Sequence, residues 1–288
     1  METNDLLKKV RKIEIKTRGL SQNIFAGQYH TAFKGRGMTF AEVREYQYGD
    51  DVRTIDWNVT ARFGHPYIKV FEEERELTVM LLVDVSGSRD FGTVNMLKKD
   101  IITEVAATLA FSTIQNNDKV GVIFFSDKIE KFIPPKKGKK HVLHIIRELL
   151  VFKPSSNQTD IGGALKYFTN AIKKHSTAFV ISDFMDHGFD RTLQIANRKH
   201  DIAALQVYDI REAEIPNVGL IKLKDAETGE RIWVDTADKR LRTTYKHKWN
   251  ERQLELQKTF KQSGVDSVTM STDEDYVRAL MKLFRLRA

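Results

Sequence analysis

The sequence contains no cysteine. Disulfide cross-links and thiol chemistry are therefore excluded, and the composition suits a reducing compartment. Proline is scarce, with five in 288 residues, and no low-complexity tract interrupts the chain, which argues against long disordered linkers. No apolar run reaches the roughly 18 residues needed to cross a bilayer. The N-terminus is charged and lacks the apolar stretch of a signal peptide. A soluble, cytoplasmic protein is the expectation, with no membrane span. Charge of one sign is also not dominant: 47 Lys and Arg stand against 39 Asp and Glu, a net of +8. A basic excess can mean nucleic acid or an anionic membrane. Here the bases are interspersed with acids, and the densest cluster, Lys131 to Lys140, holds one aromatic, Phe132, and no second one to form a stacking platform. That cluster reads as a solvated connector, or as a patch for an acidic partner. No nucleic acid partner is expected.

What is present is an alternation of apolar runs and helical patterns. Residues 78–83 form a short apolar run rich in β-branched side chains, which reads as a strand buried on both faces. The run meets Asp84, and two hydroxyls follow at alternate positions, Ser86 and Ser88, about Gly87. A helical pattern then runs from Val94 to about Asn117. The three side chains thus sit on the loop leaving the C-terminal end of a central strand, where open α/β sheets bind ligands. One carboxylate and two hydroxyls are hard oxygen donors of the kind Mg²⁺ prefers. They would leave such an ion under-neutralised and able to accept a carboxylate from outside. The alternative reading of the triplet alone is a strand end capped by a Ser/Asp turn.

Two later stretches bear on that choice. Residues 155–165 form a polar loop, with Thr159-Asp160, that runs into a helix, and residues 179–183 form a second buried strand ending in Asp183. An Asp-x-Ser-x-Ser loop, a Thr-Asp before Gly-x-Ala-Leu and a strand-terminal Asp, in that order, resemble the von Willebrand factor A domain. The resemblance implies a metal-ion-dependent adhesion site (MIDAS): Asp84, Ser86 and Ser88 as first-loop ligands, Thr159 as the second-loop ligand, and Asp183 as the third-loop acid acting through water. It implies Mg²⁺, or Mn²⁺ or Ca²⁺, as the ion, and a partner protein that completes the shell with a Glu or Asp.

Upstream, Arg44-Glu45-Tyr46, Gly49-Asp50, Arg53-Thr54-Ile55-Asp56-Trp57 and Ala61-Arg62 resemble a narrower group, the bacterial and archaeal proteins of domain-of-unknown-function family fifty-eight. The likeness covers residues of about 15 to 235. It implies association with a MoxR-type AAA+ ATPase in chaperone-like assembly or stress tolerance. Arg53, Asp56 and Arg62 could form an ion-pair cluster around Trp57, or serve only to pin the N-terminal segment. The glutamates at 72, 73, 74 and 76 read as a solvated run rather than a metal cluster, because only alternate residues of a strand share a face.

The whole chain is expected to be α/β: a doubly wound, mostly parallel sheet with helices on both faces, in residues 76–288, preceded by an α+β extension over residues 1–75. The spacing predicts helices at 4–16, 94–117, 139–152, 160–174, 188–199, 238–263 and 273–286. It predicts strands at 67–71, 78–84, 119–126, 177–183, 201–208 and 265–271. An antiparallel edge strand at 129–133 is ended by Pro134-Pro135, and a β-hairpin insertion occupies about 218–235. Function is expected to be non-enzymatic binding, with no catalytic residues. A metal-dependent phosphohydrolase is the alternative, but the second acid such enzymes place two residues after the nucleophile is here Ser86. A basic nucleic-acid-binding protein is a further alternative, without a motif to support it.

Overall fold

The computed structural model describes residues 3–20, 38–73, 77–93, 96–226 and 228–287. The chain divides into two compact units, Met1–Phe33 with Thr78–Ala288, and Lys34–Leu77. The sequence reading put all of residues 1–75 in one extension, whereas the helix at residues 3–20 groups with the larger unit.

In the larger unit, α1 (Thr3–Leu20) comes first. Lys16 Nζ lies 2.5 Å from Glu104 and 5.4 Å from the ring centre of Tyr276, and Glu14 pairs with Lys139 at 2.5 Å. A short amphipathic helix gains most of its stability from such docking.

The smaller unit pairs β1 (Met38–Glu45) antiparallel with β2 (Tyr67–Glu73), with a bulge between Phe40 and Glu42, and places α2 (Trp57–Phe63) between them in sequence. The sequence reading did not foresee β1. Asp56 caps α2 by accepting from the backbone N–H of Asn58 at 3.0 Å and of Val59 at 3.3 Å, and it pairs with Lys69 at 3.3 Å. The Arg53–Asp56–Arg62 cluster, the less favoured of the two sequence readings, does not form among the described residues, where Asp56 pairs with Lys69 instead. The bidentate pair is Arg44–Asp50, with both contacts at 2.8 Å, and Trp57 is exposed. The turn expected at 33–37 and the glutamate run beyond residue 73 lie outside the described residues, as do the side chains of Leu6 and Leu7.

The rest of the larger unit alternates strand and helix. Its elements are β3 (Thr78–Asp84), α3 (Lys98–Gln115), β4 (Lys119–Phe125), β5 (Ile129–Lys136), α4 (Lys139–Val151) and α5 (Ile161–Ala171). They are followed by β6 (Thr177–Ser182), α6 (Asp190–Lys199), β7 (Asp201–Tyr208), the one-turn α7 (Ile210–Ala213), β8 (Leu220–Lys224), β9 (Arg231–Asp235), α8 (Lys239–Ser263), β10 (Asp266–Ser271) and α9 (Tyr276–Arg287). Six strands form one sheet in the order β10-β7-β6-β3-β4-β5, all parallel except the edge strand β5. β8 and β9 make a separate hairpin.

Central strands of a parallel sheet must be apolar on both faces, and β3 is buried throughout from Val79 to Val83. Met80 and Leu82 pack with Phe168 of α5, Leu193 of α6 and Phe260 of α8 in one core cluster. Leu81 and Val83 point the other way, toward the side where α3 buries Ile101, Val105 and Leu109. The chain winds from β3 outward to β4 on one side and to β6, β7 and β10 on the other. The direction of winding reverses between β3 and β6, and the crevice this creates lies at their C-terminal ends.

β5 runs through Pro134 and Pro135 instead of stopping before them. An edge strand tolerates proline because its outer N–H groups have no partner to lose. The register slips between Val120 and Val122 at this point, and Gly121 leaves room for the prolines: a Cβ there would lie 2.9 Å from the Pro135 nitrogen.

Candidate functional site

The strand-end aspartates meet at the crevice. Asp84 ends β3, and Asp183 follows the last residue of β6. Both are buried. Asp84 accepts from the Ser86 N–H at 2.9 Å and from the Ser182 hydroxyl at 2.6 Å, so its oriented hydrogen bonds come from neutral donors. Burial, and then the nearby charge of Asp183, push its carboxyl up to about 6. Ser86 and Ser88 stand with their hydroxyl oxygens 3.2 Å apart, and the Ser88 hydroxyl also reaches Asp183. Four of the five expected ligands, Asp84, Ser86, Ser88 and Asp183, thus form one cluster.

The loop of the fifth, Thr159, is brought alongside by other contacts. The Gly87 N–H donates to the Asn157 carbonyl at 3.0 Å, and the Asp160 N–H donates to the Ser126 carbonyl at 2.9 Å. Glu130 of β5 accepts from the N–H and hydroxyl of Ser155, both at 2.9 Å, and from the Ser126 hydroxyl at 2.9 Å. Burial works against the Glu130 carboxylate, yet these donors hold it below the usual glutamate range. Asp186, beyond β6, accepts from the Ile161 N–H at 2.8 Å and so ties the third loop to the start of α5. Thr159 itself is half-buried within this braced loop.

Among the residues that escaped the sequence reading, Lys98 lies at the centre of the site. The Lys98 ammonium, fully buried at the start of α3, donates to Asp183 Oδ2 at 2.9 Å and to Glu212 Oε1 at 2.6 Å. Burial opposes its charge, but Asp183 and Glu212 outweigh burial and hold the lysine above its usual range. Burial likewise opposes ionisation of Asp183, and Lys98 overcomes it, leaving that carboxyl below the ordinary value. Glu212 stays raised, by burial first. A sign of this was legible: Lys98 lies one heptad before Val105, on the inward stripe of α3. A lysine on an apolar stripe asks for a buried acid.

The network continues past the lysine. Glu212 also accepts from the Asp209 N–H at 2.8 Å. Buried Asp209 in turn accepts from the Thr93 hydroxyl at 2.6 Å and the Thr272 hydroxyl at 2.7 Å. Phe184, directly after Asp183, has a positive φ of 56° and donates its N–H to Ser182 Oγ at 3.0 Å. A bulky residue in that region is strained, and here its ring is held in the core, 5.1 Å from the Phe260 centroid and 6.0 Å from that of Phe189.

The donor set can be tested against a divalent cation. Asp84, Ser86 and Ser88 present hard oxygens with no ammonium in contact with Asp84 among the described residues, and this part fits an ion. Asp183 already has Lys98 as its counter-charge and would stand behind Ser88. The tip of the β8–β9 hairpin also reaches this loop: a Cβ on Gly87 would lie 2.6 Å from the Ala226 carbonyl oxygen. Among the described residues no helix is long and apolar enough to cross a membrane.

Comparisons with known proteins place this geometry in context. A family model described as "Protein of unknown function DUF58" matches residues 42–255. An uncharacterized protein of Mycobacterium tuberculosis, Rv1480, is 27% identical over 281 residues, which is 96% of this chain and 88% of that one. Among solved structures, an aerotolerance-related membrane protein from Bacteroides fragilis aligns over 73% of this chain and 98% of its own, at 18% identity and a TM-score of 0.51. The SpRpn10 VWA domain aligns over 73% of this chain and 95% of its own, at 9% identity and a TM-score of 0.39.

Proposed function

The chain belongs to the DUF58 family, with a von Willebrand A-like core, and from that premise we propose that it is a protein-interaction module whose receptor site is completed by a divalent cation. The observation that carries this reading is the charge of the cluster. Two acids, Asp183 and Glu212, share one buried ammonium, Lys98, and a third, Asp84, lies buried near Asp183 with no ammonium in contact with it among the described residues. Arg89 acts on Asp84 only through space, its guanidinium being hydrogen-bonded to the Phe152 carbonyl at 2.5 Å. A buried surplus of negative charge favours one more cation.

Asp84, Ser86 and Ser88 would hold that ion, with Thr159 from the second loop and Asp183 behind Ser88. Mg²⁺ is the first choice for so hydroxyl-rich a set, ahead of Mn²⁺ and Ca²⁺. Bound there, it would offer a Lewis-acidic position to a carboxylate from a partner. The chain's own residues do the rest. Ser182 and the Ser86 N–H fix both oxygens of Asp84. Lys98 keeps Asp183 ionised and oriented. Glu130 braces the Thr159 loop. The partner would supply a Glu or Asp, and the resemblance to MoxR-associated relatives nominates an AAA+ ATPase of that type.

Thermal unfolding with and without the ion tests the proposal. Ligand that binds only the folded state raises Tm, so Mg²⁺ should raise that of the wild type and leave Ser86→Ala/Ser88→Ala unmoved. The double variant should remain folded, since it loses a hydroxyl pair worth about 1 kcal/mol. A wild-type Tm unmoved by Mg²⁺, Mn²⁺ and Ca²⁺ would overturn the metal reading. A MoxR-type ATPase retained equally with and without chelator would overturn the metal-bridged partnership.

A further inference from the structure

The net charge of the chain is not spread evenly. Residues 3–20 and 131–153 hold thirteen Lys and Arg against three Asp and Glu, a surplus larger than the +8 of the entire chain. The structure brings the two stretches together, since Glu14 of α1 pairs with Lys139 at the start of α4. On α1, Lys8, Arg11, Lys12 and Ile15 are exposed. Their spacing puts them on one face of the helix, opposite the buried Thr17. The helical rise places Lys8 within about 10 Å of Glu14 along the axis. Beside them, Lys136, Lys139, Lys140 and Arg147 are exposed on the β5–α4 turn and on α4. No acid occurs from residue 131 to residue 147.

Helix stability does not account for this cluster. α4 starts at Gly138 without a side-chain cap, and its first turn carries Lys139 and Lys140 but no acid. Cations at that end oppose the helix dipole. The cluster is a surface for an anion, and three observations choose which. Ten of the thirteen cations are Lys, a compact point charge, whereas the carboxylates of a protein partner are best met bidentately by Arg. Phe132 and Phe152 are engaged with other rings, Tyr167 at 5.9 Å and Phe124 at 5.0 Å between centroids, so neither is offered to a nucleic-acid base. Ile15 is 69% exposed among the cations of α1. An apolar side chain framed by lysines suits the boundary between lipid headgroups and acyl chains. We infer that the exposed face of α1 and the β5–α4 turn form a docking surface for an anionic lipid membrane, which the protein lies on without crossing. β5 runs from Ile129, beside Phe125, to Lys136, beside Val120, and Asp84 also pairs with Phe125. The turn is therefore at the opposite end of the sheet from the crevice, about 17 Å along the strand. Contact through the turn leaves the crevice free for a partner.

Co-sedimentation of the full chain with vesicles tests this. The vesicles are phosphatidylcholine alone, and phosphatidylcholine with about one-third phosphatidylglycerol. Lys136→Glu/Lys140→Glu is compared with Lys222→Glu/Lys224→Glu, which makes the same change in net charge on the β8–β9 hairpin. Lys136 and Lys140 make no ion pair among the described residues, so the first variant should keep the wild-type Tm. The wild type should adsorb to the anionic vesicles only. The turn variant should lose adsorption at least tenfold and the hairpin variant less than twofold. Ile15→Ser should weaken it at least threefold. Equal loss in both charge variants, or no preference of the wild type for anionic vesicles, overturns the inference. Adsorption untouched by Ile15→Ser overturns the lipid reading, and binding of a labelled DNA duplex that is lost in the turn variant then assigns the face to nucleic acid. Adsorption should persist in chelator, because this face does not use the candidate metal site. Loss in chelator overturns the inference by making a divalent ion the bridge to the headgroups.

Discussion

At the scale of single residues, Lys98 matters most to the fold of the site. Taking away one partner of a buried ion pair leaves the other charge stranded, at a cost of about 3–5 kcal/mol. Lys98→Met should therefore lower stability by that order in urea unfolding, and adding Asp183→Asn should recover a large part of the loss. No recovery in the double variant would mean that the lysine acts by packing alone. His200 makes a second prediction. Its ring is buried 4.4 Å from the Phe168 centroid, with Nδ1 3.0 Å from the Ser176 hydroxyl. Burial first, then Lys199 and His175, bring it down to about 4. The folded state thus binds fewer protons than the unfolded one between the ordinary histidine value and 4. Stability should fall as pH drops through that window, by on the order of 1–3 kcal/mol, and level off below it. His200→Gln should flatten the difference between pH 7 and pH 4, and a parallel pair of pH profiles would refute the assignment. Asp84, Ser86, Ser88 and Asp183 were all legible in the sequence, because strand ends and alternate hydroxyls leave a pattern. Lys98 and Glu130 were not singled out, because a charged residue acquires its meaning from a partner far along the chain: 85 residues away for Lys98 and Asp183, 25 for Glu130 and Ser155.

At the scale of elements, apolar runs located the parallel strands of the sheet within a residue, and β7 was placed at its observed limits of Asp201–Tyr208. Helix starts were less legible. The helix read from Val94 begins at Lys98, because the preceding stretch is drawn toward Asp209 through the Thr93 N–H at 2.9 Å and hydroxyl. β1 was missed because its Met-Thr-Phe-Ala-Glu-Val-Arg-Glu sequence carries only a broken alternation, and the bulge after Phe40 resets the pleat. The proline pair in β5 misled in the opposite direction, since an edge position removes the usual penalty. The hairpin yields an element-scale prediction. Gly87→Ala would drive a methyl group to 2.6 Å from the Ala226 carbonyl and 3.1 Å from Asn157 Cβ. One of the two loops must move, at a cost of about 1–3 kcal/mol. Hydrogen exchange should then show faster exchange in residues 220–235 or 155–160, with the β3 core unchanged. Unaltered exchange in both loops would show that the tip does not rest on Gly87 in solution.

At the scale of the molecule, the doubly wound order follows from strand–helix alternation, and the site follows from where the winding reverses. The grouping of the first helix was not legible, because amphipathicity announces that a helix docks without saying on what. α1 belongs to the larger unit through Glu14, Lys16 and buried Thr17. Removing residues 1–33 should lower the urea midpoint of that unit and reduce its m-value, since less surface is buried on folding. An unchanged midpoint would place α1 outside the cooperative structure. At the far end, Arg287 donates to Asp201 at 2.8 Å, Asp266 at 2.7 Å and the Ile202 carbonyl at 2.9 Å, which fastens the last helix to the beginnings of β7 and β10.

The internal ammonium has one more consequence. A cluster of buried acids whose counter-charge is the side chain of Lys98 does not need the surrounding solution to stay assembled. If the proposed ion binds there, its removal should leave the scaffold folded and abolish only the proposed recognition.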